Sequence, residues 1–167
     1  MMRPPDKLAS YRALAAALAR VADLPWRLLV AGGGSARAEV ESALESAVPG
    51  RARFLGTLGT RELAEVYAAG DLYAWPAVNE AYGMALLEAQ AAGLPVVSRA
   101  TRGVPDVVED GRTGLLARGE DISAPLRELL GDSKRRAALG RAAGEFVAAE
   151  RSLEATAQRL KSLLAAL

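Results

Sequence analysis

Glu80 and Glu88 stand eight positions apart in residues 79–97, NEAYGMALLEAQAAGLPVV, with Gly83 between them. Two carboxylates at that spacing can accept hydrogen bonds from hydroxyls at two ends of one ligand. Glu88 suits a pair of neighbouring hydroxyls, as on a ribose, and Glu80 suits hydroxyls farther along. Gly83 removes a side chain where the ligand would come close. The residues after it have apolar positions at helical spacing, so a helix begins there and ends at Gly93. A helix N-terminus presents unpaired backbone N–H groups and the positive end of the helix dipole, which suits a phosphate or diphosphate. Helical side chains lean toward the N-terminus, which carries Glu88 back toward the same place. Taken alone, two such glutamates are more often solvated helix surface, because acidic residues are common early in helices.

The elements around this stretch predict its position. Residues 72–76 read as a buried strand before it, and Pro95 opens another apolar strand after it. Strand, loop with Glu and Gly, helix, Gly, strand is the layout of a ligand site at the carboxyl edge of a parallel sheet. Residues 7–22 read as a helix with Leu8, Tyr11, Leu14, Leu18 and Val21 on one face, broken by Pro25. Residues 27–31 form a strand ending in Gly32-Gly33-Gly34-Ser35, and residues 36–47 the next helix, with Val40, Leu44 and Ala47 inward. A triple glycine there is as consistent with a tight connection as with phosphate binding. Residues 53–56 form a short strand. Thr60 is the expected N-cap of a helix to residue 69, with Glu62 in its first turn. Residues 122–130, 133–150 and 152–167 are helical, with Asp132, Ser133 and Ser152 as cap residues. Leu153, Leu160, Leu163 and Leu164 stripe the last helix.

The segment resembles the E-x7-E segment of the retaining glycosyltransferases with two Rossmann-like domains, the large family 4 (group 1) of GT-B type. That family typically reads E-G-F-G-L-x-x-x-E-A-M-A-x-G-x-P-V-V. The chain has Glu80-Ala81-Tyr82-Gly83-Met84, Glu88-Ala89-Gln90-Ala91, Gly93 and Pro95-Val96-Val97. It departs at Ala81 (usually glycine) and Gln90 (usually methionine). The likeness extends over nearly the whole chain. Gly32 and Gly34 match a G-x-G-P turn with Ser35 for the proline, and Arg53-Phe54-Leu55-Gly56 matches R-F-x-G. Tyr67-Ala68-Ala69-Gly70-Asp71 matches Y-A-A-A-D, and Gly103-Val104-Pro105-Asp106 matches the close of G-G-I-P-E. Arg102 stands where the first of those two glycines is usual. It fills space left for sugar or acceptor, pairs with a phosphate, or is simply solvated.

The resemblance implies an α/β fold: a Rossmann-like doubly wound parallel sheet with flanking helices. It implies a single GT-B half-domain over residues 1–167, the C-terminal, nucleotide-sugar-binding type, with the N-terminal acceptor domain absent. In the family's strand order, 3-2-1-4-5-6, the first strand is central, and here only Met1-Met2 remain of it. The expectation is therefore a gap with unpaired backbone groups. It would be compensated by closing of the flanking strands, by residues 1–5 running as a stub, or by a strand from another copy. The resemblance also implies roles. Glu80 contacts the donor sugar and is the catalytic candidate. Glu88 holds the ribose hydroxyls. Gly83 and Met84 offer backbone N–H groups. Lys7, with Arg3, offsets the diphosphate charge, and Gly32 and Gly34 lie beside the nucleotide.

Composition bounds the remainder. The 167 residues suffice for one core burying roughly 70% of the unfolded surface. A net charge of +1 argues against a strong basic field for nucleic acid. With no cysteine there is no disulfide and no thiolate metal site. With no histidine the commonest general base and metal ligand are missing. No apolar run approaches about 18 residues, so no membrane span is expected and the default location is cytoplasmic. The expected partner is a nucleotide-sugar donor, with no metal or other cofactor, an unknown acceptor, and either an acceptor domain or self-association. Little transfer by this chain alone is expected. The alternatives are a non-catalytic nucleotide or nucleotide-sugar binding module, a truncated product needing a partner domain, and a dinucleotide-binding domain. The last ranks low because G-x-G-x-x-G is not met at residues 32–37.

Overall fold

The computed structural model describes residues 1–165. Strands and helices alternate along the chain: α1 (Asp6–Ala19), β1 (Leu28–Ala31), α2 (Arg37–Ala47), β2 (Ala52–Gly56), α3 (Thr60–Ala69), β3 (Tyr73–Ala74), α4 (Met84–Ala91), β4 (Val96–Arg99), β5 (Gly114–Ala117), α5 (Ser123–Gly131), α6 (Ser133–Phe146) and α7 (Leu153–Ala165). A 3-10 turn, Val104–Asp106, follows β4, and a π-helical turn, Val147–Arg151, joins α6 to α7. Every strand pairing is parallel, as short strands joined by helical crossovers require. β4 and β5 are the buried strands, and Val96 and Val97 of β4 are fully buried.

The α1 face predicted from spacing is the face that packs: Leu8, Tyr11, Leu14, Leu18 and the following Val21 are all buried. Val40 and Leu44 of α2 are buried as expected, and Ala47 packs against the core. Asp132 caps α6 by accepting from the Arg135 N–H at 2.9 Å, and the Ser152 hydroxyl accepts from the Ala155 N–H at 3.1 Å. Two expected caps are corrected. Ser133 is the first residue of α6, behind its cap Asp132. Thr60 is the first residue of α3, and Gly59 occupies the N-cap, its N–H reaching the Glu62 carboxylate at 2.8 Å. The predicted final helix covers α7, and its last two positions, 166 and 167, lie outside the described residues.

The sheet is divided into β2-β1 and β3-β4-β5. Leu28 and Gly32 donate toward β2, to Arg51 O at 3.0 Å and Gly56 O at 2.7 Å. Tyr73 and Trp75 donate toward β4, to Pro95 O at 3.0 Å and Val97 O at 2.9 Å. Backbone groups alternate sides along a parallel strand, so Leu29 and Ala31 of β1 and Ala74 of β3 present theirs to the space between the two sheets. That space is the expected gap. The flanking strands have not closed up; the N-terminal residues run as a stub. Met2 is fully buried, donates to Gly33 O at 2.8 Å and accepts from the Ala36 N–H at 3.1 Å. Gly34 (φ +147°) makes room for it: a Cβ there would lie 2.2 Å from Met2 O.

Candidate functional site

The loop after β3 is built from unusual backbone. Ala77 (φ 55°) and Asn79 (φ 56°) are left-handed although neither is glycine. They turn the chain so that Glu80 reaches the start of α1. The Lys7 Nζ donates to Glu80 Oε2 at 2.5 Å, joining positions 73 residues apart. The side chains are 30% and 19% exposed, so the pair is half-buried. Lys7 also lies 5.4 Å from the centre of the Trp75 ring, which meets Tyr11 edge-on at 5.0 Å. Burial pushes the Tyr11 hydroxyl up from its ordinary pKa.

Gly83 caps α4 with a left-handed backbone, φ 93° and ψ 53°. A Cβ there would sit 2.8 Å from Leu86 Cδ1, so both the conformation and the space select glycine. The Gly83 carbonyl accepts the Leu86 and Leu87 N–H groups at 2.9 and 3.2 Å. The amides of Met84 and Ala85, in the first turn, have no place in the α-helical ladder and remain for a ligand. Glu88 is exposed, one turn on, and accepts from the Tyr67 hydroxyl of α3 at 3.3 Å. Burial, reinforced by the Glu88 charge and its hydrogen bond, pushes Tyr67 well above the ordinary tyrosine range. Tyr67 therefore stays protonated and acts as a donor to Glu88. Tyr73, 6.0 Å from Tyr67, is pushed up the same way, chiefly by burial.

A cavity of about 520 Å³ runs from this edge into the gap between the sheets. Lys7, Gly32, Glu80, Gly83 and Glu88 all line it. Three other candidates stand apart from it. Arg3 is exposed at the stub, Met84 lies at the surface with 57% exposure, and Gly34 sits beneath Met2. Sequence reasoning missed Tyr67, Tyr73 and Trp75, which form the aromatic wall. Their signal was present, since all three fall in or beside segments already singled out. Phe54 is partly buried against the core. Gln90 is fully buried, and its amide donates to Leu86 O and Val107 O at 3.3 and 2.9 Å. Arg102 is exposed and left-handed (φ 46°) and donates to the Asn79 side-chain oxygen.

The sequence profile described as "Glycosyl transferases group 1" matches residues 4–132. D-inositol 3-phosphate glycosyltransferase of Corynebacterium diphtheriae is 39% identical over 160 residues, covering 91% of this chain and 37% of that enzyme. The chain thus spans less than two fifths of that relative. Sucrose-phosphate synthase from Thermosynechococcus elongatus superposes with a TM-score of 0.81 at 28% identity, covering 97% of this chain and 44% of the other. Anabaena HepE in complex with UDP-glucose shares the fold, with a TM-score of 0.73 at 21% identity over 92% of this chain and 45% of that one. No helix among the described residues is long and apolar enough to cross a membrane.

Proposed function

This chain belongs to the glycosyl transferases group 1 family, and from that premise we propose that it is the donor-binding, C-terminal-type half of a retaining GT-B enzyme of family 4. The donor is a nucleoside diphosphate sugar. Its ribose hydroxyls bind Glu88, whose carboxylate is oriented by the Tyr67 hydroxyl. The diphosphate sits over the α4 N-terminus at Gly83 and Met84, where unpaired amides and the helix dipole favour negative charge. Lys7 is the nearby cation, with Arg3, exposed at the N-terminal stub, as the second. Glu80 receives hydroxyls of the sugar and carries the catalytic role on the donor side. Gly32 leaves the nucleotide room beside β1, whereas the space Gly34 leaves is taken by Met2.

The leaving diphosphate is stabilised electrostatically, by preorganised donors and the lysine charge rather than by a metal ion. Acceptor recognition belongs to parts of such an enzyme outside these 167 residues, whose likeness covers 37% of the diphtheria enzyme. The chain by itself therefore binds donor and transfers little. No nucleic-acid partner is proposed, and the location proposed is cytoplasmic.

The observation that supports this reading best is the convergence of Lys7, Glu80, Gly83 and Glu88 on one cavity beside a helix N-terminus. Titration of UDP, GDP and ADP into the labelled chain tests it by amide NMR. Shifts at Gly32, Gly83, Met84 and Ala85 with one nucleotide series are expected. Shifts confined to residues remote from the cavity would contradict the assignment.

A further inference from the structure

Three non-glycine residues among those described have left-handed backbone: Ala77, Asn79 and Arg102. All three gather at one place. The Asn79 amide donates to Asp6 Oδ2 at 2.8 Å, and Arg102 donates to the other end of the same Asn79 side chain. Between the two strained residues, the Val78 N–H donates to the Ser10 hydroxyl at 3.0 Å. Ser10 is fully buried, and its hydroxyl donates in turn to Asp6 O at 2.9 Å. The loop that carries Arg102 presses on the next residues of the same segment. A Cβ at Gly103 would lie 2.1 Å from Ala81 O.

Glu80 lies in the middle of these contacts. Its N–H donates to Ala77 O at 3.3 Å, and its carboxylate takes Lys7 from the same helix that supplies Asp6 and Ser10. Left-handed residues of this kind persist only where neighbours over-determine them. Here the neighbours are side chains from α1 on one flank and from the loop after β4 on the other. Asn79 is the bridge because it both donates and accepts, and because asparagine enters the left-handed region more readily than most residues.

We propose that Asp6, Asn79 and Arg102 form a clasp that positions Glu80, with Ser10 as its buried anchor. These are positioning residues: they fix where the Glu80 carboxylate stands relative to Lys7 and the α4 N-terminus. Arg102 closes the clasp from the loop after β4. The clasp accounts for an arginine at a position whose backbone suits glycine. Its consequence for ligand choice rests on the donor-site reading above. A fixed Glu80 sets affinity for the sugar end of a donor and leaves the nucleotide end alone.

The experiment has a ligand-free arm. Asn79→Asp sets two carboxylates against each other and should speed amide hydrogen exchange of Val78 and Glu80 about tenfold. Asp6→Asn combined with Asn79→Asp exchanges donor and acceptor, and should return both rates to near wild type. Arg102→Gly relaxes the backbone while opening the clasp. It should speed the same two amides without lowering the melting temperature, a split that a merely structural role would not produce. Unchanged exchange in Asn79→Asp, or no rescue in the double variant, overturns the clasp.

The binding arm compares UDP with UDP-glucose, and the GDP and ADP pairs likewise, by calorimetry. Asn79→Asp should weaken the sugar conjugate about tenfold relative to the bare nucleotide. Equal weakening of both overturns the link to Glu80. Absence of all nucleotide binding in the wild type contradicts the donor reading instead, and the exchange arm then decides the clasp by itself.

Discussion

Lys7 and Glu80 neutralise each other across the mouth of the cavity, and the two partners are not equivalent. Removing Glu80 leaves a half-buried cation free for a diphosphate. Glu80→Ala is therefore expected to bind bare nucleoside diphosphate as well as or better than wild type and to lose its preference for the sugar conjugate. Lys7→Ala is expected to weaken both, by about tenfold or more, since a charge-assisted hydrogen bond is involved. Parallel calorimetric titrations of the two variants check the asymmetry; equal losses in both would contradict it. Gly83→Ala combines a left-handed backbone with a Cβ 2.8 Å from Leu86. It should cost about 1–3 kcal/mol in urea unfolding. At this scale spacing and a helix start single out Glu80, Gly83 and Glu88, and it is the resemblance of the whole segment that lifts them above solvated helix surface. Lys7 was legible only through resemblance, and its contact with Glu80 crosses 73 positions that no local pattern links. The Asp6–Asn79–Arg102 contacts were illegible for the same reason. Tyr67 lay in plain view, but its tie to Glu88 needs the packing of α3 beside α4.

Elements were legible where an apolar stripe had a partner to meet. The α1 stripe is the case in point, and every residue assigned to it is buried. Boundaries were less so. Residues 72–76 read as a strand, yet β3 keeps only Tyr73–Ala74, because one of its edges faces the gap and has no ladder to extend it. Thr60 looked like a cap because threonine caps well; the Glu62 carboxylate instead serves the Gly59 N–H. A pairing between elements also fixes a pH response. Arg127 of α5 grips Asp23, in the turn after α1, through both carboxylate oxygens at 2.7 and 2.8 Å. The hydrogen bond from Arg127 holds the Asp23 carboxyl at about 2, below its ordinary 3.8. A depressed folded-state value means that the contribution is present above pH 3.8 and is lost as pH falls through about 2. Carbon-detected NMR titration should place Asp23 near 2 in the wild type and return it toward 3.8 in Arg127→Ala. An unmoved midpoint would contradict the pairing. The group is exposed, so the overall stability change should be small.

At the scale of the molecule, the sheet in two parts with a cavity between them is the feature that joins fold to site. Spacing along the sequence cannot decide whether the flanking strands close or a stub fills the end. Met2 does the filling, and it is fully buried. Met2→Ala should cost about 2–5 kcal/mol in urea unfolding, an effect expected of a core residue and not of a chain end. A loss below about 0.5 kcal/mol, typical of surface substitutions, would contradict that role. The cavity that the stub leaves open carries the central claim, that these residues form a working site for a nucleoside diphosphate sugar. The most direct measurement is calorimetric titration of UDP, GDP and ADP and their sugar conjugates into the chain and into Glu88→Ala. Saturable one-to-one binding of a single nucleotide series, weakened about tenfold or more in the variant, is the predicted result. No binding by a chain shown to be folded, or equal binding by the wild type and Glu88→Ala, would contradict it.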